Sequence, residues 1–227
     1  MSHFAEYVPL LAAGTWMTIR LAITALSLGL VLGLFGALAK TSPYYGVRLI
    51  GSSYSTLVRG VPELLWIILI FYGSAPLVQS IGVAFGRDDL ELSSFWAGSI
   101  ALAICFGAYA TEVFRGSLLA IPKGQREAGY VLGLKKSRIF LTIVLPQMWR
   151  IALPGLGNLF MILMKDTALV SAIGLSEIMR SAQIAILTTK DYFGFYAIAA
   201  LIYLSLTVIF FPMQHALEKY ANRALVR

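Results

Sequence analysis

Apolar runs long enough to cross a bilayer constrain this chain more than any motif does. Stretches at 12–39, 61–82, 95–119, 151–170 and 192–212 approach or exceed the roughly 20 residues with which an α-helix spans a hydrocarbon layer of about 30 Å. Inside that layer a backbone must satisfy its own hydrogen bonds, which selects helices for segments of this length. Composition agrees, because 59% of the residues are hydrophobic and only 13% are charged. The fold class is therefore all-α and integral to a membrane, one domain over residues 1–227.

Charge fixes the orientation. Connectors 40–60 and 119–150 and the tail 215–227 are net basic, whereas connector 83–94, with Arg87, Asp88, Asp89 and Glu91, is net acidic. Basic connectors stay on the cytoplasmic side, so the N-terminus lies outside, the C-terminus inside, and the number of crossings is odd, namely five. Residues 1–10 read as a short outer leader, and no small-residue cleavage site follows them, so the first apolar segment is expected to stay in the mature protein. Arg20 is expected near an interface, where a long side chain snorkels. The formal charge of +7 sits in connectors without interleaved aromatics, which points to membrane orientation and not to nucleic acid. Cys105 is alone, so no disulfide or cysteine metal cluster is built within the chain. His215 and Glu218 have helical spacing without the further ligands that a metal needs. Gly29, Gly33 and Gly36 offer a small-residue face for close helix packing.

The polar interval 120–150 carries the most specific signal. Glu127, Ala128 and Gly129 are followed after three residues by Gly133, and after nine more by Ile143, Val144, Leu145 and Pro146. This resembles the docking-loop signature of the membrane subunits of binding-protein-dependent ABC importers: EAA, three residues, G, nine residues, I, any residue, LP. Gly129 is the departure, and glycine gives up roughly 1 kcal/mol of helix propensity there. Glu127, Ala128, Gly129, Gly133 and Leu134 are the expected docking and coupling set, with Lys135 and Lys136 at its rim. Two further segments resemble polar amino acid permeases, RGVPELL at 59–65 and the TEVFRG segment that contains Glu112 and Arg115. Pro62 suits the start of a helix and Glu63 its positive end, placed here near the cytoplasmic side. Glu112 and Arg115 are three residues apart and are read as a structural ion pair.

NLFMILMKDTALVSAIG also resembles the segment that this family places beside the translocation route. Pro154, Gly155 and Gly157 are expected to break the helix there and expose polar backbone. Glu63, Asn158, Lys165, Asp166 and Thr167 are the substrate-path candidates. Residues 171–194 are expected to form a short helix, either lining a gate, with Glu177, Arg180 and Gln183 as candidates, or lying at the interface.

Over nearly the whole chain the sequence resembles a five-crossing permease subunit of a polar amino acid ABC importer, most nearly the first permease subunit of histidine, lysine, arginine and ornithine uptake systems. The resemblance implies a bacterial inner-membrane location and a type I importer permease fold. It implies as partners a second homologous permease, two cytoplasmic nucleotide-binding subunits, an external amino-acid-binding protein and membrane lipid. It implies cationic cargo, with glutamine, glutamate or opines as alternatives. The chain lacks the GxxxxGK[ST] phosphate cradle, so it is not itself an enzyme, and Mg-ATP belongs on the partner ATPase subunits. A secondary amino acid carrier fits less well, because no internal pair of repeats is evident.

Overall fold

A computed structural model describes residues 2–85 and 91–222; Arg87, Asp88 and Asp89 of the acidic connector, and the end of the basic tail, lie outside the described residues. The first helix, α1 (Ser2–Lys40), is 39 residues long, about 58 Å at the usual rise and far beyond a bilayer's needs. It begins ten residues before the apolar run at position 12. Phe4 and Tyr7, assigned to a leader by polarity, instead pack on Phe195 with ring centroids 5.2 Å apart in both pairs. This contact between distant segments was invisible to a hydropathy window. Arg20 places its guanidinium over the Phe95 ring, 5.4 Å from the centroid, level with the first turn of the fourth helix.

That helix, α4 (Ser94–Ala120), is the most deeply buried of the five spans and the axis of the molecule. Its contact with α1 is the most extensive in the fold, and the glycine face explains why. A Cβ on Gly29 would come within 2.6 Å of Phe106 Cδ1, one on Gly33 within 2.6 Å of Ala110 Cβ, and one on Gly36 would run into Thr111. Gly107 returns the fit, with Leu32 Cβ 2.9 Å from where its own Cβ would stand. Close approach maximises dispersion contact where lipid supplies no hydrophobic drive.

Residues 40–60 are not a plain connector. They hold α2 (Tyr45–Gly60), which rises along α1 and α4 from the inner side. Gly51 sits against Ala39 and Lys40, Tyr54 Oη donates to the Ile104 carbonyl at 2.8 Å, and Val58 packs beside Cys105 and Ala108. Two extended residues, Val61 and Pro62, then separate α2 from α3 (Glu63–Ala84). The Trp66 indole donates back to the Val58 carbonyl at 3.1 Å, satisfying an acceptor left free by the end of α2. The break between the two helices thus lies at mid-depth, because α2 has already covered the inner half of the crossing.

The polar interval folds into α5 (Lys123–Val131) and the single turn α6 (Lys136–Ile139). A wide π turn (Phe140–Val144) leads into α7 (Leu145–Asp166), which ends in a tight 3₁₀ stretch (Thr167–Ile173). The expected break at Pro154, Gly155 and Gly157 does not occur, and α7 runs through all three. The glycines are packing positions: a Cβ on Gly155 would lie 2.9 Å from Val113, and one on Gly157 would collide with Gln214. Backbone irregularity falls instead at the two ends of α7. The short α8 (Ile178–Thr189) follows, then α9 (Tyr192–Asn222), which continues past Pro212, where the last crossing was expected to end. A side-chain hydrogen bond from Gln214 to Glu218, 2.9 Å long, bridges the turn beyond that proline. Five helices long and apolar enough to cross a membrane result, and the architecture is all-α.

Candidate functional site: a mid-membrane cavity and an inner docking surface

The break at residues 61–62 delivers Glu63 to the interior. It lines a small cavity, about 20 Å³, together with Cys105 and Tyr109 of α4 and Asp166 at the end of α7. That volume admits about one water molecule. Glu63 was expected near the cytoplasmic end; it stands level with Cys105, in the middle of α4. Asp166 reaches the same level because the 3₁₀ stretch carries the chain onward, with Val170 against Gly98 and the Ile173 carbonyl accepting from Ser94 Oγ at 2.9 Å. Two carboxylates from separate helices therefore face one apolar-walled cavity, closed by Leu102, Phe106, Leu159 and Leu163. Such groups are costly within a membrane and demand a cationic or polar partner.

The other route candidates divide. Asn158 and Lys165 are exposed, and their seven-residue spacing puts them on one face of α7 with Ile162. Thr167 is buried, and its hydroxyl donates to the Met164 carbonyl at 2.7 Å, closing the turn into the 3₁₀ stretch. Tyr109 and Cys105 escaped sequence reasoning because neither is ionised or part of a polar motif.

Just inward, Glu112 gathers more charge than the pair predicted for it. Arg115 Nε donates to it at 2.9 Å, Lys40 Nζ donates to it as well, Ser55 Oγ lies at 3.1 Å and Arg59 Nη1 at 3.9 Å. Arg59 also stacks over the Tyr109 ring, 5.2 Å from its centroid. One carboxylate thus ties the end of α1, the middle and end of α2, and α4, with an arginine joining this cluster to the cavity wall.

The gate candidates sit on the outer side of α1 and α9. Glu177 is fully buried and caps α8, accepting from the backbone N–H groups of Met179 and Arg180 at 2.9 and 2.8 Å and from Tyr203 Oη at 2.8 Å. Burial pushes its carboxyl above the ordinary glutamate value, while the two N–H donors and the tyrosine pull in the opposite direction. Arg180 Nη1 donates to Gln183 Oε1 at 3.4 Å. Thr18 accepts from the Ile178 N–H at 3.3 Å, so Glu177 and its neighbours lock α8 between α1 and α9.

On the inner side, Glu127 and Ala128 are exposed on α5 and Gly129 is buried beneath it. A Cβ on Gly129 would stand 2.8 Å from Ile139 Cγ1 and 3.2 Å from Ile143 Cδ1, which accounts for glycine where the signature has alanine. Gly133 has open space around it, but its φ is +71°. Its N–H donates to the Tyr130 carbonyl at 2.9 Å and the Leu134 N–H reaches back to the Gly129 carbonyl at 3.1 Å, a left-handed helix stop. Leu134 is half-buried against the main core, so it anchors the loop from below. The apolar side chains presented outward are Val131 and Leu132, 87% and 75% exposed. Sequence reasoning placed Leu132 in the short helix but left both out of the docking set, because in an apolar-rich chain two more apolar residues carry no signal.

Comparison with known proteins follows the same lines. Residues 25–222 match the family model described as binding-protein-dependent transport system inner membrane component. The chain is 39% identical over 232 aligned positions to the arginine ABC transporter permease protein ArtQ of Escherichia coli K12, covering 96% of each protein. It is 42% identical to the octopine transport system permease protein OccQ of Rhizobium meliloti, covering 86% of this chain and 83% of that protein. Among solved structures, an amino acid ABC transporter with histidines superposes with a TM-score of 0.81 at 34% identity over 96% of both chains. The MetNI methionine ABC transporter in an inward-facing conformation shares the fold, with a TM-score of 0.76 at 17% identity, over 95% of this chain and 98% of that one.

Proposed function

The chain belongs to the family of binding-protein-dependent transport system inner membrane components, and from that premise we propose that it is a permease subunit of an ATP-driven importer of cationic amino acids. The observation that carries this reading is the pair Glu63 and Asp166, two carboxylates on one mid-membrane cavity. A guanidinium or ammonium passing that level gains the counter-charge that the carboxylates otherwise lack. The cavity in one chain is too small for an amino acid, so a second permease supplies the rest of the passage. Asn158, Lys165 and Thr167 belong to the same route in this reading, with Thr167 acting through the backbone. Glu177, Arg180 and Gln183 hold the outer gate helix.

Glu127, Ala128, Gly129, Gly133 and Leu134 form and support the docking surface for a cytoplasmic subunit that binds Mg-ATP. Val131 and Leu132 add its apolar contact. The full assembly has two permease subunits, two nucleotide-binding subunits and an external amino-acid-binding protein. Opine cargo is the second reading, favoured by the similarity to the octopine permease protein.

The deciding experiment is uptake by the complete importer, reconstituted with its own binding protein and offered arginine, lysine, histidine, glutamine, glutamate and octopine. Arginine, lysine or histidine is the expected cargo. The substitutions Glu63→Gln and Asp166→Asn should each lower that uptake while assembly with the ATPase subunit persists. Preferential uptake of glutamine or glutamate would overturn the cargo assignment.

A further inference from the structure

A second cavity, unrelated to the substrate route, opens at the inner end of the bundle. About 370 Å³ in volume, it lies among the ends of α1 and α4, the helices α5 and α6, and the π turn. That is within the range of specific small-molecule sites. Its lining has two faces. Leu38, Leu119, Ile121 and Phe140 supply an apolar wall that continues the ends of α1 and α4, and Leu119 is 65% exposed. Lys123, Arg126 and Lys136 supply the other, with no carboxylate among the lining residues. None of the three cations makes an ion pair among the described residues, in contrast to Lys40, Arg59 and Arg115 a short distance away, which share Glu112. Tyr130, half-exposed at the rim, has the amphipathic character that settles at headgroup level.

We propose that this cavity is a binding site for an anionic phospholipid of the inner leaflet. Its phosphate lies among Lys123, Arg126 and Lys136, and its acyl chains lie along Leu38, Leu119 and Phe140. The charge of the wall selects the anionic headgroup, and the apolar wall, open toward the bilayer, selects a lipid over a soluble phosphate. Because α5 and α6 form part of this wall, a bound lipid braces the docking surface from behind. The site is independent of the cargo assignment and requires only the membrane orientation.

The test uses the intact importer with its ATPase subunits in phosphatidylcholine vesicles with or without phosphatidylglycerol. Native mass spectrometry after gentle extraction should find phosphatidylglycerol retained on the wild type. A cation near the membrane surface contributes roughly fivefold in affinity, so the triple variant K123Q/R126Q/K136Q should lose at least about tenfold of that retention, with phosphatidylcholine retention unchanged. Arginine in place of Lys123 and Lys136 should preserve it. Equal retention by wild type and triple variant would overturn the proposal. So would loss of the ATPase subunits from the triple variant in vesicles without phosphatidylglycerol where the wild type keeps them, because the cations would then belong to a protein contact. A photoreactive phosphatidylglycerol on the wild type offers a check that needs no variant. Labelling of residues 38–41 or of the segment 118–144 is expected; labelling elsewhere, or full competition by free glycerol phosphate, refutes a lipid site here.

Discussion

Gly133 offers the sharpest test of how the docking surface is made. Its φ of +71° lies in the left-handed region, and nothing stands within 4 Å of where its Cβ would be. A side chain there meets its own backbone and not a neighbour, so the cost is conformational, about 1–2 kcal/mol for an ordinary L-residue. Asparagine tolerates this region and should cost less than alanine, whereas valine, branched at Cβ, should cost the most. A penalty of that size shifts the ratio of ordered to frayed loop by a factor of about 5–30. The assay is amide hydrogen exchange over 123–139 in the purified importer, paired with substrate-stimulated ATP hydrolysis. Exchange should speed up, and coupling weaken, in the order Asn, Ala, Val. If asparagine and valine behave alike, or if effect scales with side-chain volume across Ala, Asn and Leu, then steric contact with a partner governs the position and the conformational argument fails.

Other outcomes follow from the same geometry. Leu132→Asp should reduce co-purification of the ATPase subunit at least about tenfold, since it places a charge in what is argued to be an apolar contact; Leu134→Ala should instead lower the thermal midpoint of the isolated permease. Gly36→Leu should destabilise the α1–α4 contact by about 1–3 kcal/mol through overpacking, read as a lower midpoint in detergent. Glu112→Gln should lower stability and substrate-stimulated hydrolysis together, whereas Arg115→Lys, which keeps one cation, should be milder; equal losses would show that Lys40 and Arg59 contribute little. Gly129→Ala should lower the thermal midpoint, because its Cβ would stand 2.8 Å from Ile139 Cγ1, and an unchanged midpoint would refute the crowding argued there.

The signals readable in sequence were those that depend on one segment at a time. Apolar length marked the spans, the spacing from Glu127 to Pro146 marked the family that the chain matches, and the glycines of α1 marked a packing face. What needed the structure was every feature produced by two segments. Residues 1–10 were read as a leader, but Phe195 packs on Phe4 and Tyr7 within α1. Arg48, Arg59 and the serines of 40–60 concealed α2, whose polar groups are used internally, Ser55 by Glu112 and Tyr54 by the Ile104 carbonyl. Pro154 suggested a break, yet a long helix tolerates one missing donor when packing on both sides is intact. Glu112 looked like half of an i,i+3 pair, and three of its partners lie on α1 and α2.

The position of the α2–α3 break turns these separate observations into one mechanical argument. Arg59 is the penultimate residue of α2, and only Gly60 and the two extended residues lie between it and Glu63. It touches Glu112 on one side and the Tyr109 ring on the other. Tyr109 lines the carboxylate cavity, and Glu112 stands two turns above the end of α4, from which Ile121 and Pro122 lead directly into the docking helix. If a partner docks on α5 as proposed, α4 links that contact to Glu112, Glu112 to Arg59, and Arg59 to the chain at residues 60–63. Continuity of contact alone does not establish coupling, since a wire needs an element with two arrangements. The extended pair at Val61 and Pro62, two residues outside any helix between α2 and α3, is the segment on which such an arrangement would rest. In the proposed reading, the docking surface and the carboxylate cavity are connected through Glu112, Arg59 and these two extended residues.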